Sequence, residues 1–399
     1  MINYKEEKTK FETNFSWDAE DELPGSYIAK LAKENRISEE TAKIWNSYYV
    51  AWMIHYSRNL DKTPEEYLAL PYEVLQVWRL HVLYTRKYNE LSLTLTENKV
   101  KFIPFLPAKS LWRQSSPQRI NQNFQKNKLI FKSFGLFDNR TIDKLFDFKT
   151  SYIKNSLTFS LEEGSEVFDR LTKLYKEKII KLSNDSQITN FEELKKFVDE
   201  VEQLLKSSIP KEENISNWDF KGEVKHDYEL LNRIKTYKAF PRDIIDGFMD
   251  DYLVSRAKAE DYFLEYLKFI YVCLCTNEDQ TPSIEVDMMW HYHHEHIENY
   301  VRFSNQALKL KVFIHDTGDN SPKAQDFYLT KNAQTQVHIK KHFNNHNEKV
   351  WGNRAYRGFR WLNHFNVVDY VKARMSLQEL VQLETEEFVK CCRRAVEDN

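Results

Sequence analysis

Between Ser38 and Tyr56 the bulky apolar positions Ala42, Trp45, Tyr49, Trp52 and Tyr56 fall at alternating intervals of three and four. That spacing sets one aromatic stripe along one face of a helix and predicts its burial. Ser38 is the expected N-cap, followed by Glu39 and Glu40 at the positive end of the helix dipole. Thr63-Pro64-Glu65-Glu66 reads as a capping box with proline in the first turn. Pro71 opens a further helix, expected to run through Trp78 and His81 to Tyr88. Asn190 caps an amphipathic helix with Phe191, Leu194, Phe197, Val198, Val201 and Leu204 along its stripe, ended by Pro210. A second aromatic helix is expected from about Asp243 to Cys275, carrying Phe263, Tyr266, Ile270 and Cys273. After the polar turn Thr276 to Gln280, Thr281-Pro282 starts another helix through Trp290 and His293 to Tyr300.

Composition supports a helical reading. Among 399 residues Gly (8) and Pro (10) are scarce while aromatic residues reach 14%, which favours long helices over many short strands. A hydrophobic fraction of 41% is enough for real cores. The fold class expected is mainly α.

Superposing Trp78 on Trp290 places His81 on His293 and Tyr88 on Tyr300, a Trp-x2-His-x6-Tyr pattern at a constant offset (290 − 78 = 212). Without a gap, Val100-Lys101-Phe102 then falls on Val312-Phe313-Ile314. Each motif follows a long aromatic helix and a proline, so an internal duplication is expected. On one continuous helix these three positions share a face, and a buried histidine bonded to a carbonyl or a tyrosine accounts for the repeat. The organisation expected is a polar acidic tail at 1–25, a first, degenerate helical unit at 26–107 and a basic, aromatic and amphipathic helical segment at 108–238. A second helical unit at 239–351 and a C-terminal helical extension at 352–399 complete it.

Charge is nearly balanced, with 58 Lys and Arg against 60 Asp and Glu, so no global field points to nucleic acid or an anionic membrane. The exception is residues 101–160, with eleven Lys and Arg against three Asp. There Arg113, Arg119, Lys126, Lys128 and Lys132 are interleaved with Phe102, Phe105, Trp112, Phe124, Phe131 and Phe134. Cations alternating with rings could bind single-stranded nucleic acid; the simpler reading, and the one favoured, is a basic helical face over an aromatic core. No stretch is long and apolar enough to span a membrane. The polar start of the chain lacks the apolar core of a signal peptide, and a cytoplasmic setting is expected. Cys273, Cys275, Cys391 and Cys392 are too few and too clustered for a disulfide framework and read as reduced.

Nine of the twelve histidines lie between His291 and His364. Asp287, His291 and His294 sit at i, i+4 and i+7, where the first unit has Leu75, Arg79 and Val82. Carboxylate and imidazole one turn apart can share a divalent ion, and His293, His294 or His315 could complete an open zinc or iron site. A buried, hydrogen-bonded Asp287–His291 pair with a purely structural role is the alternative. A glycine-rich phosphate loop, a Gly-x-Ser-x-Gly elbow and the kinase signatures are missing.

The run Val286-Asp287-Met288-Met289-Trp290-His291-Tyr292-His293 resembles the glycine-rich domain-containing protein-like family, a domain of unknown function. Its hallmark is Asp, two apolar residues, then Trp-His-x-His. Tyr300, His315, Thr335 and Trp351 match later positions, over roughly 239–351, with a weaker echo at 38–107. Asn299 stands where a proline often precedes the tyrosine. The resemblance implies helical architecture and an intracellular setting and names no reaction. The functional expectation is therefore a non-enzymatic interaction or scaffold protein, with a protein partner or larger complex. A metal-dependent hydrolase or oxygenase using the Asp287 and His291 cluster, and nucleic-acid binding through 101–160, are the alternatives.

Overall fold

The computed structural model describes residues 3–15, 27–60, 69–105, 112, 115–160, 190–207, 209, 213–222, 225–240, 244–276, 278–313, 322–352 and 364–366. These residues are mainly helical, as the composition predicts. The capping box at Thr63, Arg113, His315 and nearly all of the expected C-terminal extension lie outside the described residues.

The first layer contains α1 (Tyr4–Asn14), α2 (Tyr27–Asn35) and α3 (Glu39–Tyr56), then α4 (Tyr72–Leu83) and α5 (Thr85–Leu95). Within the polar acidic tail expected at 1–25, Tyr4–Asn14 form helix α1, and 16–25 lie outside the described residues. Phe11 and Phe15 are buried, and the Tyr4 hydroxyl lies 3.0 Å from Nδ1 of His55 on α3. Ser38 caps α3 as expected, accepting from the Thr41 N–H at 3.1 Å. Ala42, Tyr49, Trp52 and Tyr56 are buried from end to end of that helix, and Trp45 packs at its margin.

The middle segment supplies α6 (Pro117–Ser133), α7 (Asn139–Leu145), α8 (Phe148–Ser156), strand β1 (Thr158–Ser160) and α9 (Phe191–Ser207). Ser116, Asp138 and Asp147 cap α6, α7 and α8. Two buried amides fasten this layer to the residues ahead of α4, Asn127 donating to the Ala69 carbonyl at 3.0 Å and Asn155 to Leu70 at 3.3 Å. The Trp52 ring stacks on Phe131 of α6 with centroids 5.6 Å apart. The apolar stripe of α9 is buried at Leu194, Phe197, Val198 and Val201.

The second layer comprises α10 (Tyr228–Thr236), α11 (Ile244–Tyr252), α12 (Arg256–Cys275), α13 (Ile284–Glu295), α14 (Ile297–Gln306), α15 (Pro322–His342) and α16 (Glu348–Trp351). Strand β2 (His364–Asn366) pairs antiparallel with β1, Phe365 facing Phe159, where a helical extension was expected. The single helix expected from Asp243 to Cys275 is two. Leu253 adopts φ 51° between α11 and α12, and Ser255 recaps the chain on Lys258. Arg36, at φ 53°, turns the chain in the same way between α2 and α3, two residues before Ser38.

The helices expected to carry each Trp-His-Tyr motif are also broken, at Tyr84 (φ −83°, ψ 75°) and at His296 (φ −86°, ψ 59°). Ten residues of unbroken helix rise roughly 15 Å, too far for the first and last side chains to touch. The break lets them meet. In each layer the tryptophan indole donates to the tyrosine hydroxyl ten residues on, at 2.8 Å from Trp78 to Tyr88 and 2.9 Å from Trp290 to Tyr300.

Thr335 and Trp351 are buried bonding residues. Thr335 accepts from the Thr281 N–H at 2.9 Å, tying α15 to the start of α13. The Trp351 indole donates to Glu265 at 2.7 Å, and Glu265 also accepts from Lys268 at 2.7 Å, both charges fully buried. Lys268 reaches the Asn345 carbonyl as well, at 3.3 Å. Removing one partner of such a pair leaves the other charge buried alone. Glu265→Ala is expected to cost about 3–5 kcal/mol in urea unfolding, whereas an exposed control such as Glu40→Ala costs less than about 1 kcal/mol; equal costs would refute this role for the pair.

Candidate functional site

The histidine-rich helix α13 begins at Ser283, which accepts from the Val286 N–H at 3.2 Å. Asp287 and His291 then emerge one turn apart, as their spacing predicts, with Oδ2 and Nε2 separated by 3.4 Å and both side chains partly exposed. Neither His293 nor His294 joins them. His293 is fully buried, its Nδ1 3.0 Å from the Tyr266 hydroxyl and its Nε2 2.9 Å from Oδ1 of Asn299. Asn299 in turn donates to the Ala239 carbonyl. With that amide oxygen accepting, Nε2 carries the proton and Nδ1 accepts from the phenol. Both ring nitrogens are engaged, so His293 has no lone pair for a metal. His294 is fully buried and points the other way, its Nε2 2.8 Å from the Thr85 hydroxyl at the start of α5.

Among the described residues no group of three His, Cys, Asp or Glu side chains is placed to hold a metal ion. The Asp287–His291 pair has the geometry of two ligands or of a structural ion pair. One turn further along α13, Glu295 accepts from Arg79 of α4 at 2.7 Å, with both side chains largely buried. Arg79 occupies in the first layer the place that His291 holds in the second, and His294 replaces Val82. The residues that differ between the two motifs thus include the ones that join α4 and α5 to α13.

The shared residues form the same bonds twice. The Tyr88 hydroxyl accepts from Trp78 and donates to the Ile103 carbonyl at 2.8 Å, and Tyr300 likewise donates to Phe313 at 2.8 Å. Ser92 donates to the Tyr88 carbonyl and accepts from the Ile103 N–H; Ser304 does so with Tyr300 and Phe313. Nδ1 of His81 meets the Tyr49 hydroxyl at 2.8 Å, as His293 meets Tyr266. Residues 103 and 313 are 210 apart, so the ungapped match after the motif is two residues out. The first connection makes its turn with two left-handed residues, Glu97 and Asn98, and the second with Lys309.

Ser92 and Ser304 were not singled out from sequence, while Tyr49 and Tyr266 were read only as stripe positions and Asn299 only as a departure from the family pattern. Ser92 and Ser304 stand at the motif's own offset and were findable. Tyr49 and Tyr266 are 217 apart, because the connection to the motif helix is five residues shorter in the second layer, and a constant offset misses them.

The basic segment resolves differently. Phe102, Phe105, Trp112, Phe124, Phe131 and Phe134 are all buried, so none offers a face for a base to stack on. Lys128 and Lys132 flank the Asp143 carboxylate at 3.0 and 2.7 Å, while Arg119 and Lys126 are exposed on α6. The arrangement is that of a charged helical face over an aromatic core.

No family model, curated protein or solved structure matches the chain.

Burial holds both motif histidines neutral: His81 and His293 are each lowered to about 3, first by desolvation. An unfolded histidine titrates near 6.5, so the unfolded chain takes up protons first as pH falls. The stability these rings contribute is complete above about pH 6.5 and is lost between there and about 3, by about 2 kcal/mol for each ring at about pH 5. Urea midpoints measured at descending pH should fall across this window, and a flat profile between about pH 6.5 and 5 would contradict the neutral buried state. Tyr300→Phe and Tyr88→Phe each strand a buried indole N–H and a carbonyl, and each should cost about 2–4 kcal/mol in the same assay. A loss below about 1 kcal/mol would mean that the shared bonds do not hold the helix break.

Proposed function

We propose that the chain is a non-enzymatic interaction or scaffold protein of the cytoplasm, a component of a larger assembly, built by duplication of a helical unit. One observation carries the reading: His293, a candidate ligand of the proposed metal cluster, has both ring nitrogens engaged by Tyr266 and Asn299. The motif's Trp, His and Tyr are occupied inside each unit, and His294 by contact with Thr85. Chemistry requires a group that can still change partners. The recurrence of the same bonds around Tyr88 and Tyr300 supports the duplication, and the Asp-x-x-Trp-His-x-His run supports kinship with the glycine-rich domain-containing protein-like family. An exposed thiol, Cys275, unpaired with any other cysteine among the described residues, suits a reducing compartment.

A metal-dependent enzyme is the second reading, favoured by the placement of Asp287 and His291 on one side of α13. The two are separated by metal content and by turnover. Protein purified without an affinity tag is expected to carry no stoichiometric zinc or iron. Asp287→Ala and His291→Ala are expected to fold like the wild type, with stability changed by less than about 1 kcal/mol. Stoichiometric metal that both variants lose, or turnover of a defined substrate abolished in both, would replace the scaffold reading with the enzymatic one.

A further inference from the structure

Helix α6 puts Phe124, Asn127 and Phe131 into the core and turns Leu129 outward. Leu129 is 67% exposed, more than any other large apolar side chain among the described residues. At about 100° per residue it lies on the outer line of the helix with Gln122 and Gln125. Lys126 and Arg119 fall on one flank of that line and Lys128 and Lys132 on the other. An apolar centre between two rows of cations is the anatomy of a protein interface, with its anchor in the middle and its charges at the rim.

Among the described residues, the three carboxylates of this segment, Asp138, Asp143 and Asp147, are already engaged. Asp138 and Asp147 are engaged as caps, accepting from the N–H and hydroxyl of Thr141 and Thr150. Asp143 is shared by Lys128 and Lys132, one carboxylate between two cations. With two cations to one carboxylate, that flank keeps positive charge in excess. Arg140 and Lys144 extend the positive surface along α7. Nucleic acid would meet phosphate-binding cations here but, among the described residues of α6, no exposed ring to stack on, and Leu129 would gain nothing from it.

We propose that the outer face of α6 docks an acidic protein segment that seats an apolar side chain on Leu129 and carboxylates against Lys126, Lys128 and Lys132. The proposal rests on the scaffold reading and names the chemistry of a partner for it.

Fluorescence anisotropy of the full chain tests it with three labelled probes: a peptide of glutamates around a Leu-Phe pair, an equally charged peptide of glutamate and glycine, and single-stranded poly-uridine. The first is expected to bind with a micromolar Kd that weakens with salt, and the other two more weakly. Leu129→Ser should reduce its affinity about 5-fold to 10-fold, and Lys126→Glu by a similar factor with a flatter salt dependence. Both positions are exposed, and unchanged circular dichroism and Tm confirm that the variants fold. Equal binding of the two peptides, tighter binding of poly-uridine, or indifference to Leu129→Ser overturns the proposal. Gel filtration of the native protein from its own cells keeps the two readings apart. A partner retained by both variants refutes the α6 surface alone, and a chain that migrates by itself at monomer mass refutes the scaffold reading.

Discussion

A phenol hydroxyl placed at a helix break governs the geometry of both layers. Tyr88 and Tyr300 each accept from an indole on the preceding helix and donate to a carbonyl on the returning chain. The helix must break for this to happen, and the bonds repay the break by satisfying buried groups that water cannot reach. Burial in turn keeps the phenols in their donating form, since desolvation raises both well above ordinary tyrosine. The neutral histidines complete the arrangement, each accepting the proton of a second phenol from the preceding long helix. Four segments of each layer are held by four aromatic polar side chains and one serine. In a core this aromatic, such directional bonds select one packing among many of similar contact area.

Much of this was legible in the residues. The spacing of aromatic positions located α3, serine and aspartate caps marked helix starts, and the common offset of Trp, His and Tyr identified the side chains that bond. The breaks were not legible. Tyr84 and His296 carry neither glycine nor proline, the usual signals of interruption, and Leu253 takes a left-handed conformation with a branched side chain. Tertiary bonding decides those positions, and local propensity does not report it. Periodicity placed Trp, His and Tyr on one continuous face; they do converge, but across two helices. Spacing also predicted the Asp287–His291 pair correctly, because contact between neighbouring turns depends on the helix alone. It failed for His294, whose partner Thr85 is 209 residues away in sequence.

The two layers divide their polar residues by role. Side chains common to both motifs bond within their own layer, while Arg79, Thr85, His294 and Glu295, which differ at matching positions, bond between layers. Two identical faces could pair in more than one register, or with another copy of the same layer. A guanidinium matched to one carboxylate and an imidazole matched to one hydroxyl remove that freedom, because a misplaced pairing leaves a buried charge or donor unmet. The histidine that sequence singled out as specific to the second unit thus has a structural task for which the first unit needs only valine.

Helix α6 carries the most exposed large apolar side chain among the described residues. Its rings lie inward and its cations outward, as for any amphipathic helix, but Leu129 breaks the pattern by facing solvent. Burying one leucine supplies about 2 kcal/mol, against the roughly 8 kcal/mol of a micromolar complex. A partner seated there must draw most of its affinity from the flanking cations and from its own backbone. Such contacts are weakened by salt and exchange quickly, so the surface suits a reversible attachment. The leucine contributes selectivity, since a polyanion of equal charge but without an apolar side chain forfeits its share.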